Sequence, residues 1–266
     1  MLPRKYRKMP NGMYGVLEPF LEEHYQNRTR RRPLKYSLRM LSDGVYFVLR
    51  TGCQWNAVPD YYPPPSTLHR HFQQWSESGI INRFWRRTIE LYDYHVGLEL
   101  DQQFVDGCIT KAPYGGDCVG RNPTDRGKGG TKRSVLVERN GVTLGVAFDS
   151  ANRHDVRLLI ETLNGAVQYQ DRIQVPNIFL DKAYDARWVR SELERRGYQH
   201  HIPRRGEDYA QLSVERSNRW IVEVSNAWLN NYRRIRIRKE RGLRSYETMV
   251  KMALSSINLI KIENHN

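Results

Sequence analysis

Asn140-Gly141 is the dipeptide that most restricts this chain. It separates two apolar runs, residues 134–137 and 142–148. A two-residue Asn-Gly connection accepts positive φ at both positions, which turns one strand back antiparallel on the next. Upstream, LELDQQFVDG (98–107) has the same extended character and ends in Asp106, so three strands are expected in succession. Residues 107–133 are glycine-rich, basic and aperiodic, and read as a loop. After the hairpin, Val156, Leu159, Ile160 and Leu163 recur at helical spacing within 155–166. A buried-type strand at 175–180, a helix at 186–196 and a strand at 198–202 follow. Three antiparallel strands, then helix, strand, helix and strand, make an α/β mixed sheet with helices on both faces.

The first 96 residues have a different texture. Met13, Leu17, Phe20, Leu21 and His24, then Leu41, Val45, Val48 and Leu49, then Ile81, Phe84, Trp85, Thr88, Ile89 and Tyr92 mark three helices. Between the second and third, Pro59 and the prolines at 63–65 break regular structure, and Ser66 is the expected N-cap of a further helix, TLHRHFQQW. That helix has an apolar back of Leu68, Phe72 and Trp75 and a front of His69, Arg70, Gln73 and Gln74. A short helix so built reads either as the recognition helix of a helix-turn-helix-like unit in a DNA major groove or as an ordinary bundle helix. The expected division is an all-helical basic domain over 1–96 and an α/β domain over 97–266, the latter closing with a helix over 246–262; the resemblance described below implies DNA binding for the first and catalysis for the second.

Charge narrows the partner. Forty-three Lys and Arg against twenty-nine Asp and Glu leave +14, the footprint of a polyanion, nucleic acid before all others. A membrane role is not expected, because no 18-residue apolar run occurs and MLPRKYRKMP lacks a signal-peptide core; the expected location is intracellular. Cys53, Cys108 and Cys118 form no CxxC pair, which indicates neither a disulfide framework nor a zinc ribbon.

Three carboxylates stand out. Asp106 and Asp181 each end a strand-like apolar run, and Glu223 lies in the helical stretch NRWIVEVSNAWLNNYRRIRIRKER (218–241), where basic residues otherwise dominate. At the carboxyl edge of a mixed sheet the two aspartates would meet, and a helix packed there would add the glutamate. Three hard oxygen donors with open positions suit Mg2+, or Mn2+ in its place, and support in-line phosphoryl transfer. Taken singly, Asp106 reads as a turn cap, Asp181 as a helix N-cap and Glu223 as the partner of Arg219 one turn earlier. Asp101, Asp117, Asp149, Asp185 and above all Glu215 are competing acids by spacing.

LSDGVYFVLRTGCQW, HRHFQQWSESGI, FVDGCIT, GRNPTDRGKGGTKR, NRHDVRLL, FLDKAYD, RWIVEVSNAWLNNYRR and RIRKER occur in an order that resembles bacterial insertion-sequence transposases of the insertion-sequence-five type, within the DDE superfamily. The resemblance spans roughly residues 38–260. It implies a ribonuclease-H-like catalytic core in which Asp106, Asp181 and Glu223 form the DDE triad and hold divalent metal. It further implies that Arg219 lies near substrate phosphates, that Lys132 and Arg133 belong to a basic flap at the active site, and that the helical region recognises element ends. Two positions depart from the pattern: Arg216 stands where relatives often have tyrosine, and Asn230 where a basic residue is frequent, with Arg233 or Arg234 as the substitutes. The implied function is a bacterial, nucleoid-associated, cytoplasmic transposase that binds terminal inverted repeats on double-stranded DNA as a homodimer, cuts there and joins the end to target DNA. The alternatives are a nuclease of the same fold that does not join, and a DNA-binding regulator without catalysis.

Overall fold

A computed structural model describes residues 8–26, 33–167, 175–204 and 220–265. The chain forms two compact units, one made of 1–96 with 229–266 and the other of 97–228. This differs from the expected 1–96 and 97–266: the last helix belongs with the first four, because its apolar face packs on theirs.

In the helical unit, α1 (Asn11–Gln26) buries Met13, Leu17 and Leu21. Ser37 caps α2 (Leu38–Thr51) by accepting from the Met40 amide, and Gly52 ends it at φ 65°, a conformation that costs glycine little. The next helix, α3 (Pro65–Ser78), starts one residue before Ser66, so the expected cap is not the observed one. Proline at the first helical position lacks only an N–H that would be unpaired there. Gly79 at φ 71° separates α3 from α4 (Ile80–His95), whose buried face is Ile81, Phe84, Trp85, Thr88, Ile89 and Tyr92, as the spacing predicts. Residues 52–64 between α2 and α3 include a 3-10 turn at Trp55–Ala57, a longer connection than a tight helix-turn-helix. The long C-terminal helix, Leu243–His265, lays Tyr246, Met249, Val250, Ala253 and Ile257 into the same core. Polar ties fix its register: Ser76 Oγ meets Thr248 Oγ1 at 2.8 Å, and Asn258 Nδ2 donates to Thr88 Oγ1 at 3.2 Å.

The second unit is built on β1 (Gln102–Lys111). On one edge it pairs antiparallel with β3 (Gly129–Glu138), which pairs in turn with β4 (Thr143–Ser150) and with the short β2 (Gly120–Arg121). On its other edge it pairs parallel with β5 (Asn177–Phe179), and β5 pairs parallel with β6 (Gln199–His201). Three antiparallel strands followed by two parallel to the first is the ribonuclease-H-like arrangement. Helices α5 (Asp155–Gly165), α6 (Arg187–Arg195) and α7 (Trp220–Asn230) complete the order. Ser134 and Arg133 are strand neighbours and face opposite ways. Ser134 Oγ accepts from Thr162 on α5, and Arg133 donates to Asn226 on α7, so helices cover both faces.

β3 begins five residues earlier than the apolar run indicates, and GGTKR is ordered strand rather than loop. Glycine permits the close approach needed there: a Cβ on Gly129 would lie 2.9 Å from the Ala112 carbonyl oxygen. At the far end, the hairpin closes through Gly141, at φ 74°, whose amide donates to the Glu138 carbonyl oxygen at 2.8 Å. The Glu138 side chain is fully buried and accepts from the amides of Val142 at 2.8 Å and Glu99 at 3.1 Å. It thereby ties the hairpin to the segment that enters β1. Glu138→Ala strips both amides of this acceptor and lowers stability by about 1–3 kcal/mol in urea unfolding of the full chain; an unchanged midpoint would mean that water replaces the carboxyl group.

Candidate active site at the carboxyl edge of the sheet

The ladder between β1 and β5 aligns Gln102 with Asn177, Gln103 with Ile178 and Phe104 with Phe179. Phe104 and Phe179 stack with ring centroids 5.1 Å apart, so residues in this register share a face. Asp106 follows Phe104 by two residues within β1, and Asp181 follows Phe179, the last residue of β5, by two. The chain stays in line past Phe179: Leu180 donates to the His201 carbonyl at 3.1 Å, and Asp181 is extended at φ −73°, ψ 160°. Both aspartates are half-buried.

Under this edge lies Tyr184, fully buried. Burial pushes its phenol well above the ordinary range, and the negative charges of Asp155, Asp106 and Asp181 push it further, so the hydroxyl stays protonated. Asp155, in the first turn of α5, has no counterpart among the acids singled out by spacing. Its Oδ2 pairs with Lys132 Nζ at 3.0 Å, and the same ammonium donates to the Arg153 carbonyl at 2.7 Å. Asp155 also packs on the backbone beside Asp106: a Cβ on Gly107 would fall within hard contact of Asp155 Oδ1. The sequence did carry a signal, since Asp155 heads an amphipathic helix in NRHDVRLL, but an acid at that place reads first as a helix-dipole partner.

Glu223 sits in the first turn of α7 and is exposed. The neighbouring residues dock the helix: Ser225 Oγ donates to the Gly141 carbonyl at 3.1 Å, and Asn226 Oδ1 accepts from Arg133 Nη2 at 3.0 Å. Among the described residues no three His, Cys, Asp or Glu side chains close around a common metal position. The structure therefore sets Asp155 against the backbone next to Asp106 and holds it there through Lys132. The donors of the candidate triad are all carboxylates, a set that fits a hard divalent cation. Of the competing acids, Asp185 is engaged by Arg190 at 2.8 Å, Asp149 lies 3.8 Å from Arg153, and Asp101 lies 3.7 Å from Arg139. Asp117 is exposed in the loop after β1. Arg219, Arg216 and Glu215 fall outside the described residues.

The residues expected to touch DNA divide sharply. Arg70 is exposed on α3. Gln73 Nε2 meets His69 Nε2 at 3.1 Å, and its Oε1 accepts from Ser245 at 3.1 Å. Gln74 is half-buried with a partner of its own. Arg233 is exposed. Lys132, Arg133 and Arg234, expected as DNA contacts, are instead buried. Lys132 is committed to Asp155, Arg133 to Asn226, and Arg234 to Glu240 and the Cys53 carbonyl. The reason is common to all three: a long cationic side chain on an inward-facing position becomes an internal tie, and a run of basic letters does not reveal which way each points.

No helix among the described residues is long and apolar enough to cross a membrane. Comparison with known proteins supplies the family. A model of the transposase DDE domain matches residues 94–259, and a model of IS4/5-family transposases matches residues 9–85. A Burkholderia cepacia protein named as the transposase of insertion sequence element IS402 is 32% identical over 138 residues, which cover 50% of this chain and 64% of that protein. Among solved structures, the catalytic domain of Mos1 mariner transposase aligns with 68% of this chain and 93% of its own at 13% identity and a TM-score of 0.29. A pre-cleavage Mos1 transpososome aligns with 89% and 81% at 11% identity and the same score. Superpositions that loose carry no weight for fold or site. The family match alone spans most of the chain, including both units and all three candidate carboxylates, and with it this protein belongs to the DDE-domain transposases of bacterial insertion sequences.

Proposed function

We propose that this chain binds the terminal inverted repeats of an insertion sequence, cuts the DNA there and transfers the freed 3′ end to target DNA. What supports this reading is the parallel register of β1 with β5, beyond which Asp106 and Asp181 each follow a paired phenylalanine by two residues, in a chain of the DDE family. Asp106, Asp181 and Glu223 would hold Mg2+, with Mn2+ able to replace it. When bound, a pair of such ions activates the attacking oxygen and stabilises the leaving one in an in-line displacement. Asp106 would present carboxylate oxygens from the middle of β1 and Asp181 from just past the end of β5, and Glu223 would present its own from a helix docked through Ser225 and Asn226. Water as nucleophile gives cleavage and a 3′ hydroxyl gives joining, so one set of carboxylates serves both reactions. Arg219 and Arg233 would lie along substrate phosphates, and Arg70, Gln73 and Gln74 would read the repeat. Two ends must be cut and joined together, which calls for a homodimer on DNA.

Behind this edge, Asp155 acts as a positioning residue. Lys132 holds it against Gly107, and that contact sets the path of the backbone that carries Asp106. A methyl group at 107 must displace either Asp155 or β1.

Cleavage of an end-containing duplex in Mg2+ or Mn2+ tests the assignment. Asp106→Asn, Asp181→Asn and Glu223→Gln should each lower cutting more than ~100-fold, beyond the effect usual for an outer-shell partner, while DNA binding persists. Glu215→Gln should stay active. A dead Glu215→Gln beside an active Glu223→Gln would move the third carboxylate to 215, and a wild type that binds without cutting would favour the regulator. Gly107→Ala should cost about 10–100-fold in cutting with unaltered DNA affinity; a wild-type rate in that variant would remove Asp155 from the positioning role.

A further inference from the structure

The basic segment after α7 is not a uniform charged surface. Its first part forms the single turn α8 (Arg233–Arg236), and from there to Gly242 the chain buries every second or third charge. Arg234 pairs with Glu240 with both side chains only 4% exposed. Arg238 is buried and donates to the carbonyls of Glu240 at 2.8 Å and Arg241 at 2.9 Å. Buried cations used in this way fix the backbone of 237–242. What they leave outside are Arg241 and Arg244, both exposed, the latter in the first turn of α9 (Leu243–His265).

This segment abuts α3 at two points. At one, Arg234 and Glu240 act electrostatically on His69, whose ring also lies 5.2 Å from that of Trp55, while Trp55 is covered by the Arg234 guanidinium at 5.8 Å. At the other, Ser245 Oγ donates to Gln73 Oε1 at 3.1 Å. His69 and Gln73 are one helical turn apart and bonded to each other at 3.1 Å. Arg244 precedes Ser245, which is bonded to Gln73, and Arg241 follows Glu240, the partner of Arg234, so both exposed guanidinium groups belong to the segment that meets α3, the helix that carries Arg70.

Elsewhere in the helical unit three arginines face carboxylates: Arg39 pairs with Asp43, Arg83 with Glu23 and Arg87 with Glu90. Around α3 the one nearby acid of the segment, Glu240, is buried and consumed by Arg234. Among the described residues no carboxylate pairs with Arg70, Arg241 or Arg244. Three exposed guanidinium groups on a fixed backbone, around a helix face with imidazole and amide donors, have the chemistry of a duplex-DNA surface: cations for phosphates, and polar side chains for base edges.

We propose that the start of α9 and the outward face of α3 form one duplex-DNA surface, in which Arg241 and Arg244 take backbone phosphates beside the helix that reads the repeat. This rests on the end-binding transposase reading. It moves the role of the C-terminal basic segment from the carboxylate edge to end recognition.

Fluorescence anisotropy of the full chain on end-containing and random duplexes, across a salt series and without divalent metal, tests it. Arg241→Ala/Arg244→Ala should weaken both duplexes alike and lower the magnitude of the slope of log affinity against log salt by about 2, close to 0.9 for each phosphate no longer neutralised. Arg241→Lys/Arg244→Lys should keep the wild-type slope, because the slope counts charges. Arg83→Ala, on the same unit but paired with Glu23, should match wild type. If the alanine double variant keeps wild-type affinity and slope while the wild type shows a steep slope, this surface is not the one used and the transposase reading survives. If the alanine and lysine double variants lose affinity equally, the residues act through folding and the proposal falls. If wild-type protein binds neither duplex, the transposase reading fails together with the proposal.

Discussion

Everything at the carboxylate edge hangs on the parallel pairing of β1 with β5. A parallel ladder fixes not only which strands are neighbours but which residues stand level, and the stacked Phe104 and Phe179 lock that register with an apolar contact below the edge. A slip of one residue would turn Asp181 to the opposite face from Asp106. β5 is only three residues long, so its own hydrogen bonds are a weak safeguard. The aromatic stack continues instead into His201 on β6, 4.4 Å from Phe179, so that three adjacent strands hold one another in step.

The second constraint is the use of charge inside the protein. A chain this basic is expected to display its cations, yet Lys132, Arg133, Arg234 and Arg238 are all buried. Three of them anchor segments far apart in sequence: Arg133 joins β3 to α7, Lys132 joins β3 to the start of α5, and Arg234 joins the turn after α7 to the end of α2. Buried charges are costly unless bonded, and breaking one leaves the partner stranded. Arg133 is the extreme case, fully buried with Nε and Nη1 lacking a hydrogen-bond partner. Its bond to Asn226 is therefore a poorly replaceable link between the sheet and the helix that carries Glu223.

These uses explain what could be read from the sequence. Helices with one apolar stripe, such as 80–95, were legible residue by residue because burial there follows the 3.6-residue period. The hairpin at Asn140-Gly141 and the short strands near 178 and 200 were legible because apolar runs bound them, although the turn is longer than the expected two residues: 139–142 separate β3 from β4, and of the pair only Gly141 has positive φ. The start of β3 was not, because a strand covered on both faces by polar ties shows no alternation, and its glycines look like loop. The joining of 229–266 to the helical unit was not legible either, since amphipathicity says that a helix has a partner and not which one. Within the candidate site, Asp181 follows a short strand as its apolar run indicates, whereas Asp106 lies inside β1, which continues to Lys111 through letters that read as loop; Asp155 was not legible, because its contact with Gly107 exists only in three dimensions.

The helical unit is discontinuous: α1 to α4 come from the first 96 residues and α9 from the last stretch, with the whole catalytic unit between them. During synthesis the sheet unit therefore has all its strands before the helical core has its closing member. Until α9 emerges, the face of α4 that it covers stays open, and the positions that flank α3 do not yet exist. The exposed Arg241 and Arg244 arrive after the sheet unit is already built, so a ribosome that stops short leaves a chain with its carboxylate edge formed and the helical side unfinished.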